Sequence, residues 1–176
     1  MKEITAETRW LLAARSASRL PVLCTAVLRT RLGEAYDDHL TEEIWCHLGD
    51  EACDLAKGLG LQVDTADRLA EGLLEILRTL FGSEFRWEIL DLPQDRAVIL
   101  INRCPILMRA LELGEGSPEI FHPCLAFCVS AAESLHQDFS VRFIRAMCLG
   151  DRNCELRIAK KEELEKNERV DNRNSG

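Results

Sequence analysis

The sequence predicts an α+β fold, with N-terminal helices packed on a four-stranded antiparallel sheet made of two hairpins with an intervening helix. Three observations carry the prediction. Residues 1–82 repeat their apolar side chains every three or four positions. After Gly82 the pattern changes to two pairs of short runs rich in β-formers, FRWEILDL with DRAVILIN and FSVRFIRAMC with NCELRIAK. One helical run, from about His122 to His136, separates the pairs. Segregated helices and hairpins of this kind make layered α+β domains.

The elements follow in order. Thr5 to Leu20 reads as one helix, and Pro21 reads as the start of a second, because proline suits a first turn and disrupts an interior. Residues 41–60, TEEIWCHLGDEACDLAKGLG, open on Thr41, Glu42 and Glu43 and close on Gly58 and Gly60. Trp45, Leu48, Ala52, Leu55 and Leu59 form its buried stripe, so Trp45 is expected in the core and His47 outside it. Asp64 or Thr65 caps the next helix, whose stripe is Leu69, Leu73, Ile76, Leu77 and Leu80. A Pro-Gln turn joins the first two strands. Cys104-Pro105 leads from the second strand into a short apolar segment, 106–113, and Gly114, Gly116, Ser117 and Pro118 mark a loop. Pro123 fits the following helix only in its first turn, and His136 ends that helix. One domain is expected over 1–160, made of a helical layer (1–82) and a ββαββ part (83–160), with a charged tail at 161–176.

The chain has 176 residues, 47% of them hydrophobic, which suffices for one sizeable core. A net charge of −8 argues against nucleic acid as a partner, since tracking phosphates needs excess Lys and Arg. No uncharged apolar stretch of about 18 residues is present, so no membrane partner is expected. The N-terminal segment lacks a signal-peptide apolar run, and a cytoplasmic location is expected.

Eight cysteines then become informative. In a reducing compartment they serve as ligands, redox groups or small core residues. Cys24, within an apolar run, is expected to be buried. Cys46 and Cys53 share a helix face and read as packing. Cys104, Cys124, Cys148 and Cys154 all fall at element ends. Cys148 and Cys154 bracket the turn Leu-Gly-Asp-Arg-Asn, in which Asp151 reads as an Asx-type turn residue. Directly opposed strand residues lie about 4.5 to 5.5 Å apart, a spacing that suits a disulfide or two ligands on one metal. Cys124 sits where a helix N-terminus lowers a thiol pKa, and Cys128 lies one turn later, placed to join it or to pack. His122 is an alternate ligand. Four thiols fit tetrahedral zinc and equally an iron–sulfur cluster, while buried structural thiols and redox chemistry stay open as alternatives.

From about residue 43 to 158 the sequence resembles the 4-vinyl-reductase-type small-molecule-binding domains and the related L-2-amino-thiazoline-4-carboxylate hydrolase-like proteins. The matching pieces are "IWCHLGDEACDLAKGLGL", "RCP", the helix with Cys124, and "MCLGDRNCELRI". The resemblance implies a hydrophobic small molecule bound beside a cysteine-rich zinc site, in a homodimer. Position 145, a glutamate ligand in that family, is Arg145 here, which leaves Cys104 and Cys124 to complete the set with Cys148 and Cys154. The expected function is a metal-binding, four-cysteine small-molecule or sensory domain. Two alternatives stand beside it. One is a hydrolase of cyclic C–N bonds using metal-bound water or the Cys124 thiolate, and the other is a dimeric interaction module without metal.

Overall fold

The computed structural model describes residues 3–33, 38–93, 95–114 and 118–164. The expected turn residues Gln94, Gly116 and Ser117, and the tail beyond residue 164, lie outside them. Thr5 opens helix α1 (Ala6–Leu32) by accepting from the Thr8 amide at 3.2 Å. The predicted break at Pro21 does not occur, and α1 runs straight through it. An interior proline costs about 3 kcal/mol. Here Ala14, Ser18 and Val22 are buried at four-residue spacing on both sides of the proline, which holds the two halves in line. The indole of Trp10 donates to the Thr79 carbonyl at 3.0 Å and ties α1 to the rest of the domain.

The helix predicted over 41–60 is two helices, α2 (Asp38–Asp50) and α3 (Ala52–Leu59), broken at Glu51. Gly60, at φ 67°, ends α3 in the left-handed region that favours glycine. Helix α4 (Ala66–Phe81) supplies the largest share of the core. Its N-cap residue Thr65 makes no side-chain cap bond. The Ala66 amide instead donates to the Asp95 carboxylate at 2.8 Å, from 29 positions along the chain. Asp95 itself sits at φ 56°. Asp95→Ala should therefore cost about 1 kcal/mol or more, through a lost cap and a strained backbone, while Asp95→Asn keeps both. Denaturant midpoints of the two variants check this.

Strands β1 (Arg86–Leu92) and β2 (Arg96–Arg103) form the first hairpin. The segment read only as apolar is a helix, α5 (Pro105–Leu113), with proline in its first turn. Helix α6 (Phe121–Leu135), then β3 (Phe139–Arg145) and β4 (Cys154–Lys160), complete the order. The sheet is antiparallel in the order β1-β2-β4-β3, so β4 joins the hairpins and β3 forms an edge. Ile99, Ile101, Leu156, Ile158 and Val141 face the helices, where Trp45, Phe81 and Phe127 meet with ring centroids 5.8–6.1 Å apart. Trp45 is thus a core residue, and His47 is exposed, both as expected.

Gly49 sets the closeness of α2 and α6. A Cβ there would stand 2.8 Å from the Phe127 carbonyl oxygen and 2.9 Å from the Ala131 amide nitrogen. Those are backbone atoms, so relief requires the helices to separate, away from the Ser130 hydroxyl that donates to the Cys46 carbonyl at 2.9 Å. Gly49→Ala should cost about 1–3 kcal/mol, the range for overpacked interiors, read as a lowered thermal midpoint.

By length and composition α1 is also the one helix among the described residues that qualifies to cross a bilayer, with a mean hydropathy of 1.3 over 18 residues. Arg15 and Arg19 interrupt it, and Arg15 reaches Glu112 at 3.1 Å. Cys24, expected inside, is exposed on its outer side together with Leu20, Leu23 and Val27. The inner side of α1 is already occupied by Ala14, Ser18 and Val22, half a helical turn away.

Candidate functional site

Four segments carry thiols to one region. Cys104 is the N-cap residue of α5, at the end of β2. Cys124 lies in the first turn of α6, behind Pro123. Cys148 sits in a short 3-10 turn, Met147–Leu149, and Cys154 begins β4. Cys148 and Cys154 are not opposed across a strand ladder, as the loop length suggested. Arg145 pairs with Glu155 in the register, and Cys154 pairs with Ile101 of β2. The turn folds back instead. The Asp151 carboxylate accepts from the Ala146 amide at 2.9 Å, five residues back rather than two ahead as an Asx turn would have it, and Gly150 takes φ 102°.

The thiols feel one another. Cys104 is pushed up by burial, then by the neighbouring Cys124 and Cys154. Burial and Cys124 push Cys148 up to about 11. Burial, with Cys124 and Cys148 close by, pushes Cys154 up to about 12. Cys124 lies well above the ordinary thiol range, first through its hydrogen bond with Cys128 and then through burial. The expected lowering by the α6 N-terminus is overturned, because desolvation and a thiol partner outweigh a partial helix charge. A buried, hydrogen-bonded thiol is also a poor nucleophile, and His122 offers it no help: the ring is exposed and lies 3.6 Å from Glu42.

Backbone amides nonetheless point at the sulfurs. The amides of Leu107 and Ile106 reach Cys104, those of residues 148 and 149 reach Cys148, and the Met147 amide donates to the Cys154 Sγ at 3.3 Å. Such donors favour thiolates. Burial and mutual repulsion outweigh these donors, so the thiols of the folded chain stay protonated at neutral pH. Cys104, Cys124, Cys148 and Cys154 are the residues that could hold a soft divalent metal, for which thiolates are preferred ligands. Among the described residues, no three His, Cys, Asp or Glu side chains already stand in a ligating arrangement. Arg145 forms an ion pair with Glu155 at 3.7 Å. Cys128, left open between ligand and packing, belongs to this neighbourhood through its bond to Cys124. Its spacing of one helical turn was the available signal.

A groove of about 380 Å³ opens between α6 and the edge strand β3. Phe121 and Leu125, which flank Cys124 in sequence, line it with Val129, Phe143 and Leu164. Phe121 meets Phe143 edge-on with centroids 5.7 Å apart. At its polar end Glu133 accepts from Ser140 and Lys161, both at 2.8 Å. Sequence reasoning missed this groove, because α6 and β3 each read as ordinary half-buried elements.

No family model and no curated protein matches the sequence. Solved structures do. A trafficking protein particle complex subunit 3 from Naegleria fowleri, covalently bound to palmitic acid, aligns with a TM-score of 0.56 at 14% identity, over 82% of this chain and 95% of that one. The phenol-responsive sensory domain of the transcription activator PoxR, with phenol, aligns with a TM-score of 0.52 at 15% identity, over 86% and 76%. The fold is shared with both. At these identities the shared fold is an arrangement of helices on a sheet, and the site must be judged on this chain's own residues.

Proposed function

We propose that this protein is a small-molecule sensory domain of the 4-vinyl-reductase-like kind, in which Cys104, Cys124, Cys148 and Cys154 hold one metal ion, zinc, beside the ligand groove. The observation that supports it most is the mutual influence of four thiols drawn from four separate segments, with amides aimed at three of the sulfurs. The PoxR domain, which shares this fold, senses phenol. A bound zinc ion would supply no redox chemistry and would cross-link the end of β2, the start of α6 and the turn at 147–149. Phe121, at one end of the groove, shares the first turn of α6 with Cys124. A reducing, cytoplasmic setting suits eight unpaired cysteines.

Elemental analysis with an absorption spectrum, on protein purified without oxygen, tests the reading. Near-stoichiometric zinc and no colour support it. A brown protein with iron and sulfide replaces zinc by a cluster, and protein free of metal overturns the metal part.

A second copy of the chain is the proposed cover for the outer side of α1, where Leu12, Leu20, Leu23 and Val27 are exposed. Leu23→Glu would then halve the mass measured by sedimentation, because a carboxylate at the centre of an apolar seam cannot be desolvated without a partner.

A further inference from the structure

We infer that His39, Glu42 and His122 form a second site, which takes a zinc, nickel or copper ion between the starts of α2 and α6. The inference is independent of the thiol reading, since no cysteine takes part.

Glu42 lies between two imidazoles. From α6, the Nδ1 of His122 stands 3.6 Å from one carboxylate oxygen. From α2 itself, the Nδ1 of His39 stands 3.1 Å from the other. Zinc holds nitrogen and carboxylate donors at about 2.0–2.2 Å, so two ligands on one tetrahedral ion lie about 3.3–3.5 Å apart. The two gaps at Glu42 bracket that separation. His122, an expected alternate ligand for the thiols, is therefore placed for a different partner.

The frame under these donors is tightly packed. Helices α2 and α6 approach closely enough at Gly49 to leave no room for a Cβ, and the Ser130 hydroxyl donates to the Cys46 carbonyl one turn beyond Glu42. Donors carried on packed helices keep their spacing better than donors on loops. Glu42 is 28% exposed, while His39 and His122 are 84% and 59% exposed. The two rings face different oxygens, and among the described residues no trio of donors has yet converged on one point. Convergence needs rotamer changes in two exposed rings, and imidazole ligates through either of its nitrogens.

The donor types name the ion. Two imidazoles with one carboxylate suit zinc, nickel and copper, whereas calcium and magnesium take oxygen ligands. His47 shows the contrast. It stands 4.0 Å from Glu43 and 3.9 Å from Asp50, but all three belong to α2 and supply a single imidazole.

Zinc titration of the full chain, followed by calorimetry and by the NMR signals of its four imidazoles, tests this. The signals of His39 and His122 should shift together, with those of His47 and His136 unmoved. His39→Ala, His122→Ala and Glu42→Gln should each weaken this site by about 10–100-fold, at least the cost of losing an outer-shell partner. Both histidines are exposed, so their variants keep the fold, and circular dichroism should be unchanged. His47→Ala should leave the site intact. Cys148→Ser should also leave it intact while removing the thiol-bound ion, so the two metal readings fail separately. Zinc that binds equally well to the His39 and His122 variants overturns the assignment. A shift at His47 in their place, or no imidazole shift in the unaltered chain, overturns it as well.

Discussion

Cys148→Ser is expected to abolish stoichiometric metal binding and to lower the thermal midpoint by roughly 6–12 °C, about 3 kcal/mol for a chain of this length. The cost is smaller than in a zinc finger, which has no core of its own, because this domain buries Trp45, Phe81 and Phe127 independently of the thiols. Loss of metal would loosen the turn at 147–149, which keeps its own backbone bonds from Leu149 and Asp151 to the Ala146 carbonyl and from Gly150 to the Met147 carbonyl, with the Asp151 carboxylate and the amide bond to Cys154. Cys46→Ser, on α2 and outside the cluster, should keep full metal content. Elemental analysis and calorimetry of the pair check both statements.

The pH dependence should reverse between the two forms. Without metal, the folded chain holds the Cys148 and Cys154 thiols at about 11 and 12, above the ordinary value of 9.0. A folded-state pKa raised in this way contributes stability that is complete below pH 9 and lost as pH climbs toward 11–12. With metal bound the same sulfurs are thiolates, and acid competes for them. Stability should then fall as pH drops. Melting curves from pH 5 to 12, with and without chelator, separate the two slopes.

The second large effect lies away from the thiols. Arg109 of α5 is 1% exposed, yet its guanidinium binds Glu84 at 2.6 Å and Glu112 at 2.8 Å. Its Nε has no hydrogen-bond partner. Arginine buried to this degree is tolerated only while its charge is answered. Replacing both Glu84 and Glu112 with glutamine should cost about 3–5 kcal/mol, since it leaves a buried cation with no counter-charge. Arg109→Met should cost far less, because the two carboxylates are partly exposed and can turn to water. Urea midpoints of the two variants give the ordering, and the reverse order would mean that the carboxylates carry the burden of burial.

Much of this architecture is legible in the chain. The switch from three-and-four spacing to alternation places β1, β2 and β4 within a residue, since burying one face of a strand forces a period of two, while β3 ends at Arg145, three residues before the expected 148. Cysteines at element ends marked the segments that now meet. What could not be read locally has a common cause. Pro21 stays helical because residues on both sides are buried on one line. The helix predicted over 41–60 breaks at Glu51, beyond a glycine whose close approach to α6 has no local signature. Cys24 is exposed because an apolar helix has more than one side, and the described residues bury the side of Ala14, Ser18 and Val22.

The sequence by itself determined the α+β class, the two hairpins, the core role of Trp45 and the four candidate thiols, all through side-chain periodicity and residue chemistry within a few positions. The tertiary structure alone decided which way those thiols shift, where the groove between α6 and β3 lies and why Arg109 is tolerated inside. Each of these depends on desolvation and on neighbours brought from distant segments. A thiol at a helix start is acidic in isolation, and the same thiol, buried against Cys128, is not.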